Sequence, residues 1–242
     1  MVYAGSLCRE NAAQLRVLRI GSDTRLSQLT RAVEKAQGQR PRVARLADVV
    51  ASRMVVALFL GLAAVDHFSV GTFWRKRYEA DVTRGVNPVR WTEYSISASL
   101  MIVLIAMLAG VTNVVALLAI FGVNAAMILF GLVMERLNLD RTEVDWTPFI
   151  FGSILGALPW ILIAIQFALS ESEAAGVPGF VYGIFVSLFI LFNGFAINMW
   201  LTYRGNGHWK DPLFAERVYI MLSFVAKTAL AWQVYAGALA GS

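Results

Sequence analysis

Six apolar stretches, each about as long as a membrane-spanning helix, dominate this sequence. They are residues 53–74, 90–110, 114–135, 148–170, 178–203 and 213–239. A helix needs about 20 predominantly apolar residues to cross the hydrocarbon core of a bilayer. Because only 15% of the 242 residues are charged, a water-soluble domain of this size would lack polar surface. The sequence therefore predicts an all-α membrane protein, a multi-pass bundle of six transmembrane helices in a lipid bilayer.

Residue counts exclude several classes of site and partner. Cys8 is the single cysteine, so neither a disulfide framework nor a cysteine metal cluster can form. The two histidines, His67 and His208, lie in different segments with no motif that links them, which argues against a metal site. The net charge of +5 comes largely from the first 53 residues, but no recognisable binding fold accompanies it, so no nucleic-acid partner is predicted. No signal peptide is visible in the charged N-terminal stretch.

Residues 1–52 differ sharply in composition from the rest and predict a short soluble segment. Lys and Arg number ten between Arg9 and Arg53, too many for a stretch that crosses a bilayer. The pattern predicts a short strand around LRVLRIG and an amphipathic helix through LSQLTRAVEKAQ, capped by Ser22 or Asp23.

The stretch from VYAGSLCRENAAQ to RVARLADVVAS resembles the end of the actuator domain of a heavy-metal transport ATPase of the P-type class. In that family the stretch leads directly into a transmembrane helix. The phosphorylation motif DKTG and the dephosphorylation loop TGE of the family are both missing, so the resemblance implies no ATPase chemistry. We therefore predict two parts, an ATPase-like soluble fragment at 1–52 and a transmembrane bundle at 53–242.

Lys227 is the most unusual residue of the apolar segments. It stands in the run MLSFVAKTALAW, ten residues beyond Arg217, or about 15 Å along a helix with a rise of 1.5 Å per residue. A charge at this depth is costly, so the lysine needs a partner or a function. One interpretation is an ion pair that joins helices; the other is a Schiff-base lysine, since a buried amine is more readily neutral and nucleophilic. Ser223 shares its helix face one turn earlier, where a hydrogen bond within its own helix is the simplest role.

A protonated Schiff base in a low-dielectric bundle needs a nearby anion. Glu93, in RWTEYSISASLM, is one of a few candidates, and Ser97 lies four residues later on the same helix face. Alternatively, Glu93 only stabilises the start of its helix, with Arg90 as its partner.

Three other ionisable residues lie within the apolar segments or at their ends. Asp66 and His67 are either a polar pair between helices or part of a proton-accepting cluster. Glu135 ends the third segment, where an interfacial position is the simpler account. A further set is typical of packing within a bundle unless a ligand gives it a role. Its members are Asn124, Met127, Gly131, Trp160, Phe192, Asn193 and Phe195.

Five segments, in order along the chain, together resemble the heliorhodopsins between about residues 54 and 239. They read RWTEYSISASLMIVLIAMLAG, NAAMILFGLVMERLN, PFIFGSILGALPWILI, FVYGIFVSLFILFNGFAINM and ERVYIMLSFVAKTALAWQV. The resemblance implies a rhodopsin-like helical bundle that binds all-trans retinal and acts as a photoreceptor, not as an enzyme. It also implies slow signalling rather than ion pumping, a homodimer, and a signalling partner that the sequence does not identify.

The resemblance also implies roles for individual residues. Lys227 matches the retinal lysine of the family, and Glu93 matches the counterion of its Schiff base. Ser223 matches a serine that hydrogen-bonds near the Schiff base, and His67 matches a histidine of a polar cluster beneath the chromophore. Motifs that line the retinal pocket contain Asn124, Met127, Trp160 and Phe192, and Ser97 joins these candidates as the neighbour of Glu93.

The start of the bundle departs from the family. The segment at 53–74 matches the second of seven family helices, so the first is predicted to be absent. The loop at 75–91 and the other loops on its side are rich in Lys and Arg, so the positive-inside rule makes that side cytoplasmic and the C-terminus extracellular. Six helices would then leave residues 1–52 outside, unless that segment lies on the membrane surface as an amphipathic helix. A light-gated proton conductor and a non-functional truncated rhodopsin are the alternatives.

Overall fold

The structure, a computed structural model, describes residues 27, 28, 30, 31, 61, 64, 65, 68–170 and 177–240. Contacts divide the chain into two units, Met1–Val50 and Ala51–Ser242. The four described residues of the first unit are helical and belong to the predicted amphipathic helix. The predicted strand lies outside the described residues, and the ATPase-like character of this unit stays a prediction.

All regular elements in the described part of the second unit are helical. They are α1 (Arg75–Thr83), α2 (Pro88–Leu108), α3 (Val114–Leu137), α4 (Thr147–Ser170), α5 (Gly179–Arg204) and α6 (Pro212–Ala240), with a 3-10 turn at Gly207–Lys210 before α6. The four helices α2 to α5 are long and apolar enough to cross a membrane, as an all-α membrane protein requires. Helix α6 carries Glu216, Arg217 and Lys227 and is not one of these four.

The predicted number of six spans is not confirmed. Five of the six predicted segments coincide with α2 to α6 to within a few residues. The first, 53–74, is only partly described, with residues 68–72 helical. Four spans are therefore established by length and composition, and the other two stay predictions.

Helix ends follow local hydrogen-bonding rules. Helix α2 begins after Asn87, whose side chain accepts a hydrogen bond from the backbone N–H of Arg90, and Pro88 occupies its first position. Helix α3 begins in the same way after Asn113. Helix α5 ends at Gly205, which has a φ of 61° and so adopts the left-handed conformation that favours glycine. These ends fix the depth of every charged residue in the bundle.

Two clusters of buried side chains hold the helices together. The larger is centred on Ile102 and Ile105 of α2 and reaches α4, α5 and α6 through Ile163, Leu188 and Leu230. The smaller lies nearer the basic loops and is richer in aromatic residues. Its buried members are Trp91, Tyr94, Ile128, Met134, Met199 and Tyr219. Because lipid tails are as apolar as these side chains, close packing rather than escape from water stabilises such contacts.

The outward faces of the helices are apolar and exposed, as a bilayer requires. Helix α4 shows this most clearly. Its exposed large side chains include Ile150, Phe151, Ile154, Ile161, Leu162 and Ile165. In a membrane these side chains contact lipid tails, so their exposure carries no cost.

Candidate functional site

Lys227 and Glu93 form an ion pair between α6 and α2. The ammonium nitrogen Nζ donates a hydrogen bond to Oε1 of Glu93 at 2.7 Å. Only 10% of the lysine side chain and 11% of the glutamate side chain are exposed. A charge-assisted hydrogen bond at this distance is strong, and it leaves Nζ with a fixed anionic neighbour.

The alternative partner for Glu93, Arg90, is wrong for this structure. The Arg90 guanidinium instead forms ion pairs with Glu135 and Glu216. Asn87 reinforces the group, because its backbone N–H donates to Glu135 and its side chain donates to Glu216, both at 2.8 Å. We call Arg90, Glu135, Glu216 and Asn87 the arginine cluster. Sequence reasoning placed Glu135 at the membrane interface and missed its burial and its pairing with Arg90.

The arginine cluster is closed on two sides by aromatic rings. The Arg90 guanidinium carbon lies 4.1 Å from the ring centroid of Tyr219 and 4.9 Å from that of Trp91. Such stacking stabilises a cation in a site with little water. Tyr78 of α1 lies at the edge, with its hydroxyl 3.4 Å from Glu216. Burial, together with the nearby Glu216 carboxylate, raises the pKa of Tyr78, so its phenol stays a donor.

A cavity of about 290 Å³ adjoins Lys227. Six residues that the sequence proposed for a ligand line it, and its other lining residues include five large side chains that were not proposed. The six are Ser97, Met127, Trp160, Phe192, Ser223 and Lys227. The five are Trp91, Tyr94, Met101, Phe189 and Met199. Trp91 and Tyr94 flank Glu93 in the motif RWTEY, which is the signal that could have identified them.

Aromatic side chains form one wall of the cavity. The ring of Trp160 makes edge-to-face contacts with Phe185, Phe189 and Phe192 at centroid distances of 5.3, 5.3 and 5.5 Å. Edge-to-face rings of this kind stabilise one another beyond the area that they bury. The wall is therefore rigid and apolar, with Trp160 at its centre.

Glycines of α3 and α4 make room for large side chains at the cavity. A Cβ at Gly131 would overlap the indole ring of Trp91, so that ring lies directly against the backbone of α3. A Cβ at Gly156 would lie 3.2 Å from the side chain of Met127, tighter than most packing contacts. Without these glycines the large side chains would have to shift.

The remaining proposed residues are Asn124 and His67. Asn124 is fully buried but is not among the residues that line the cavity. Its side-chain amide donates to the hydroxyl of Ser99 at 3.0 Å and so joins α3 to α2. His67, like Asp66, lies outside the described residues.

Comparison with known proteins identifies the family of the chain. The model of the heliorhodopsin family matches residues 3–239. No curated protein matches the chain closely enough to be compared with it. The family match starts well before residue 54, where the resemblance was predicted to begin, and so includes most of the N-terminal segment. Because the match covers nearly the whole chain, this chain belongs to the heliorhodopsin family of retinal-binding, light-sensing membrane proteins.

Proposed function

We propose that this chain binds all-trans retinal covalently through Lys227, with Glu93 as the counterion of the Schiff base, and that it is a light sensor rather than an ion pump. The observation that carries the proposal is the Lys227–Glu93 pair at the wall of a largely apolar cavity. Lys227 is the one charged residue among the described residues that line this cavity.

The cavity suits an apolar, elongated aldehyde. Its volume of about 290 Å³ lies at the lower end of the range for small-molecule sites, and aromatic rings, methionines and glycines surround it. The lining glycines let large side chains such as Trp91 and Met127 pack against the helix backbones, which leaves the space between the helices to a ligand. The residues present therefore fit retinal.

Retinal, when bound, supplies an aldehyde that condenses with an amine with loss of water, and a chain of double bonds that isomerises on absorbing light. Lys227 contributes the amine, and its nitrogen stays cationic when the imine carries a proton. Glu93 then balances the same positive charge at the same place that it does in the ion pair. The Tyr94 ring lies 5.5 Å from Nζ and adds a second favourable contact for the cation. The aromatic wall around Trp160 excludes water from the site.

The distribution of interior charge favours a sensor over a pump. Within the described helices, no Asp, Glu, Lys or Arg follows Glu93 in α2, precedes Glu135 in α3, or follows Lys227 in α6. Helix α4 contains none, and α5 contains only Arg204 at its end. A proton moved through the described helices would therefore meet acidic or basic side chains on one side of Lys227 only, whereas proton pumps use chains of such residues as relays.

An absorption spectrum of membranes with added all-trans retinal tests the chromophore site. We expect a visible band that is absent in Lys227→Ala, because no other amine faces the described cavity. Lys210→Ala is the matched control, since Lys210 is an exposed lysine outside the cavity, and it is expected to keep the band.

Misfolding needs a separate check in that experiment. Lys227→Ala leaves Glu93 buried without a cation, which is destabilising, so the double variant with Glu93→Gln is measured beside it. Helix content by circular dichroism must match the unmodified chain in both variants. A visible band in the folded Lys227 variants, or none in the unmodified chain, would contradict the proposal.

Ion transport is tested in liposomes that contain the retinal-loaded protein. We expect no sustained pH change in the medium during illumination, because the described helices carry Asp, Glu, Lys and Arg on one side of Lys227 only. A sustained change that a protonophore abolishes would show transport and overturn the sensory assignment.

A light-gated proton conductor is the second candidate, favoured by the arginine cluster three residues from Glu93 along α2. It predicts photocurrents under voltage clamp that Glu135→Gln abolishes. We further propose, from the basic loops and the family resemblance, that the C-terminus is extracellular and that the protein signals as a homodimer to a partner still to be identified.

A further inference from the structure

A second groove follows one face of α6, with a single residue of α5 at its side. Its volume is about 400 Å³, and its lining is apolar except for one arginine. The lining residues are Leu191 of α5 and Phe214, Arg217, Val218, Met221, Leu222 and Val225 of α6. None of them lines the cavity at Lys227, so the two sites are separate.

The length of the groove corresponds to one leaflet of a bilayer. From Phe214 to Val225 the lining follows α6 for eleven residues, or roughly 16 Å at the helical rise. Half of the hydrocarbon core of a bilayer is about 15 Å thick. The groove starts two residues after the beginning of α6 at Pro212, so it runs from the membrane boundary towards the midplane.

Arg217 places a positive charge at the boundary end of this groove. It is exposed, and no carboxylate pairs with it in the described part of the chain, whereas the preceding Glu216 is bound to Arg90. A long arginine side chain can lie along an apolar surface and extend its guanidinium to the headgroup region. A guanidinium binds phosphate oxygens through two parallel hydrogen bonds.

We propose that the groove is a binding site for an anionic phospholipid, with one acyl chain along α6 and the phosphate on Arg217. The apolar lining fits a chain, and the unpaired cation at the boundary end selects for negative charge. A free phosphate would contact only Arg217, and a neutral lipid would contact only the apolar lining of the groove.

Native mass spectrometry of the full chain tests this site. The protein is released from micelles that contain equal amounts of phosphatidylglycerol and phosphatidylcholine, and the ratio of the two bound lipids is measured. Because a basic residue near the membrane surface contributes about 1 kcal/mol to binding an anionic lipid, Arg217→Gln is expected to lower the ratio about fivefold. Arg204→Gln is the matched control: Arg204 is an exposed arginine at the end of neighbouring α5, stacked on Trp200, and its loss should leave the ratio unchanged.

A second variant tests the groove itself. Val225→Trp fills the inner end of the groove and is expected to reduce the retention of both lipids, with helix content and elution volume unchanged. If the Arg217 and Arg204 variants lowered the ratio of phosphatidylglycerol to phosphatidylcholine equally, the effect would come from overall charge, and the proposal would be overturned. Unchanged retention of both lipids by folded Val225→Trp would also overturn the proposal. So would displacement of phosphatidylglycerol by inorganic phosphate.

Discussion

Glu93 meets Nζ of Lys227 at the distance of a charge-assisted hydrogen bond before any ligand is attached. In the proposed function, conversion of the amine to a protonated imine would keep one positive charge on the same nitrogen. The carboxylate would then not have to move when the chromophore binds. The ion-pair interpretation and the Schiff-base interpretation of Lys227 are thus compatible, since the same contact serves both.

Gly131 is the residue at which the shape of the cavity is most sensitive to substitution. A Cβ there overlaps the Trp91 ring, so Gly131→Ala should force that ring towards the cavity that both residues line. We expect a loss of about 1–3 kcal/mol in stability, as for other overpacked sites, together with a smaller yield of chromophore. Thermal unfolding and the height of the visible band measure the two effects.

Gly122→Ala is the control for this prediction. Gly122 lies on the same helix, α3, and a Cβ there would meet no atom within 4 Å. Alanine is also the better helix former, so stability should be equal or higher. If Gly131→Ala and Gly122→Ala behaved alike, close contact with Trp91 would not constrain the site.

At the scale of elements, the turn between α3 and α4 is held by Asn138 and Asp145. The backbone N–H of Asp145 donates to the side chain of Asn138 at 2.7 Å, and the Asn138 amide donates back to the Asp145 carbonyl at 3.1 Å. The Asp145 carboxylate in turn accepts from the backbone N–H of Thr147 at 3.0 Å and from Arg141 at 2.9 Å. These bonds fix the start of α4, the helix that carries Trp160.

This turn gives the protein a pH-dependent contribution to stability. The hydrogen bonds from Thr147, with a smaller effect of Arg141, lower the pKa of Asp145. A carboxyl group whose pKa is lower in the folded state stabilises the fold above its unfolded pKa of about 3.9. This contribution is lost as the pH falls through the folded value.

Asp145→Asn should therefore lower the melting temperature at pH 7 and have progressively less effect below pH ~4. Asp140→Asn, at an exposed position of the same turn, is the control. It should change neither the melting temperature at pH 7 nor its dependence on pH. Melting curves across this pH range test the prediction. If Asp145→Asn lowered the melting temperature equally at every pH, the charge of Asp145 would not contribute to stability.

The sequence predicted the helices well and the contacts between them unevenly. Helix bounds follow from the length of apolar runs and from caps such as Asn87 and Asn113, which are local properties. Glu93 and Lys227 are 134 positions apart, and only the family resemblance paired them. Arg90 and Glu216, 126 positions apart, had no such motif, so their contact was missed. Local patterns do not encode which distant charge a buried residue meets.

At the scale of the whole molecule, polar side chains join the two helices that hold the site. Helices α2 and α6 are linked by Lys227 with Glu93, by Arg90 with Glu216, and by the Tyr94 hydroxyl, which donates to the Tyr219 carbonyl at 3.0 Å. These links lie at one end and near the middle of the bundle. They argue against the non-functional alternative, because three polar contacts within the described residues hold the two helices together at the site.

The short distance between Lys227 and Glu93 also determines how strongly the electric field of a membrane would act on a proton transferred between them. A proton that passes from Lys227 to Glu93 moves at most 2.7 Å, about a tenth of a hydrocarbon core of roughly 30 Å. An elementary charge that crosses the entire membrane at 100 mV exchanges about 2.3 kcal/mol with the field. The short transfer exchanges about 0.2 kcal/mol, less than thermal energy. We therefore expect the proposed light-driven transfer to be almost independent of the membrane potential.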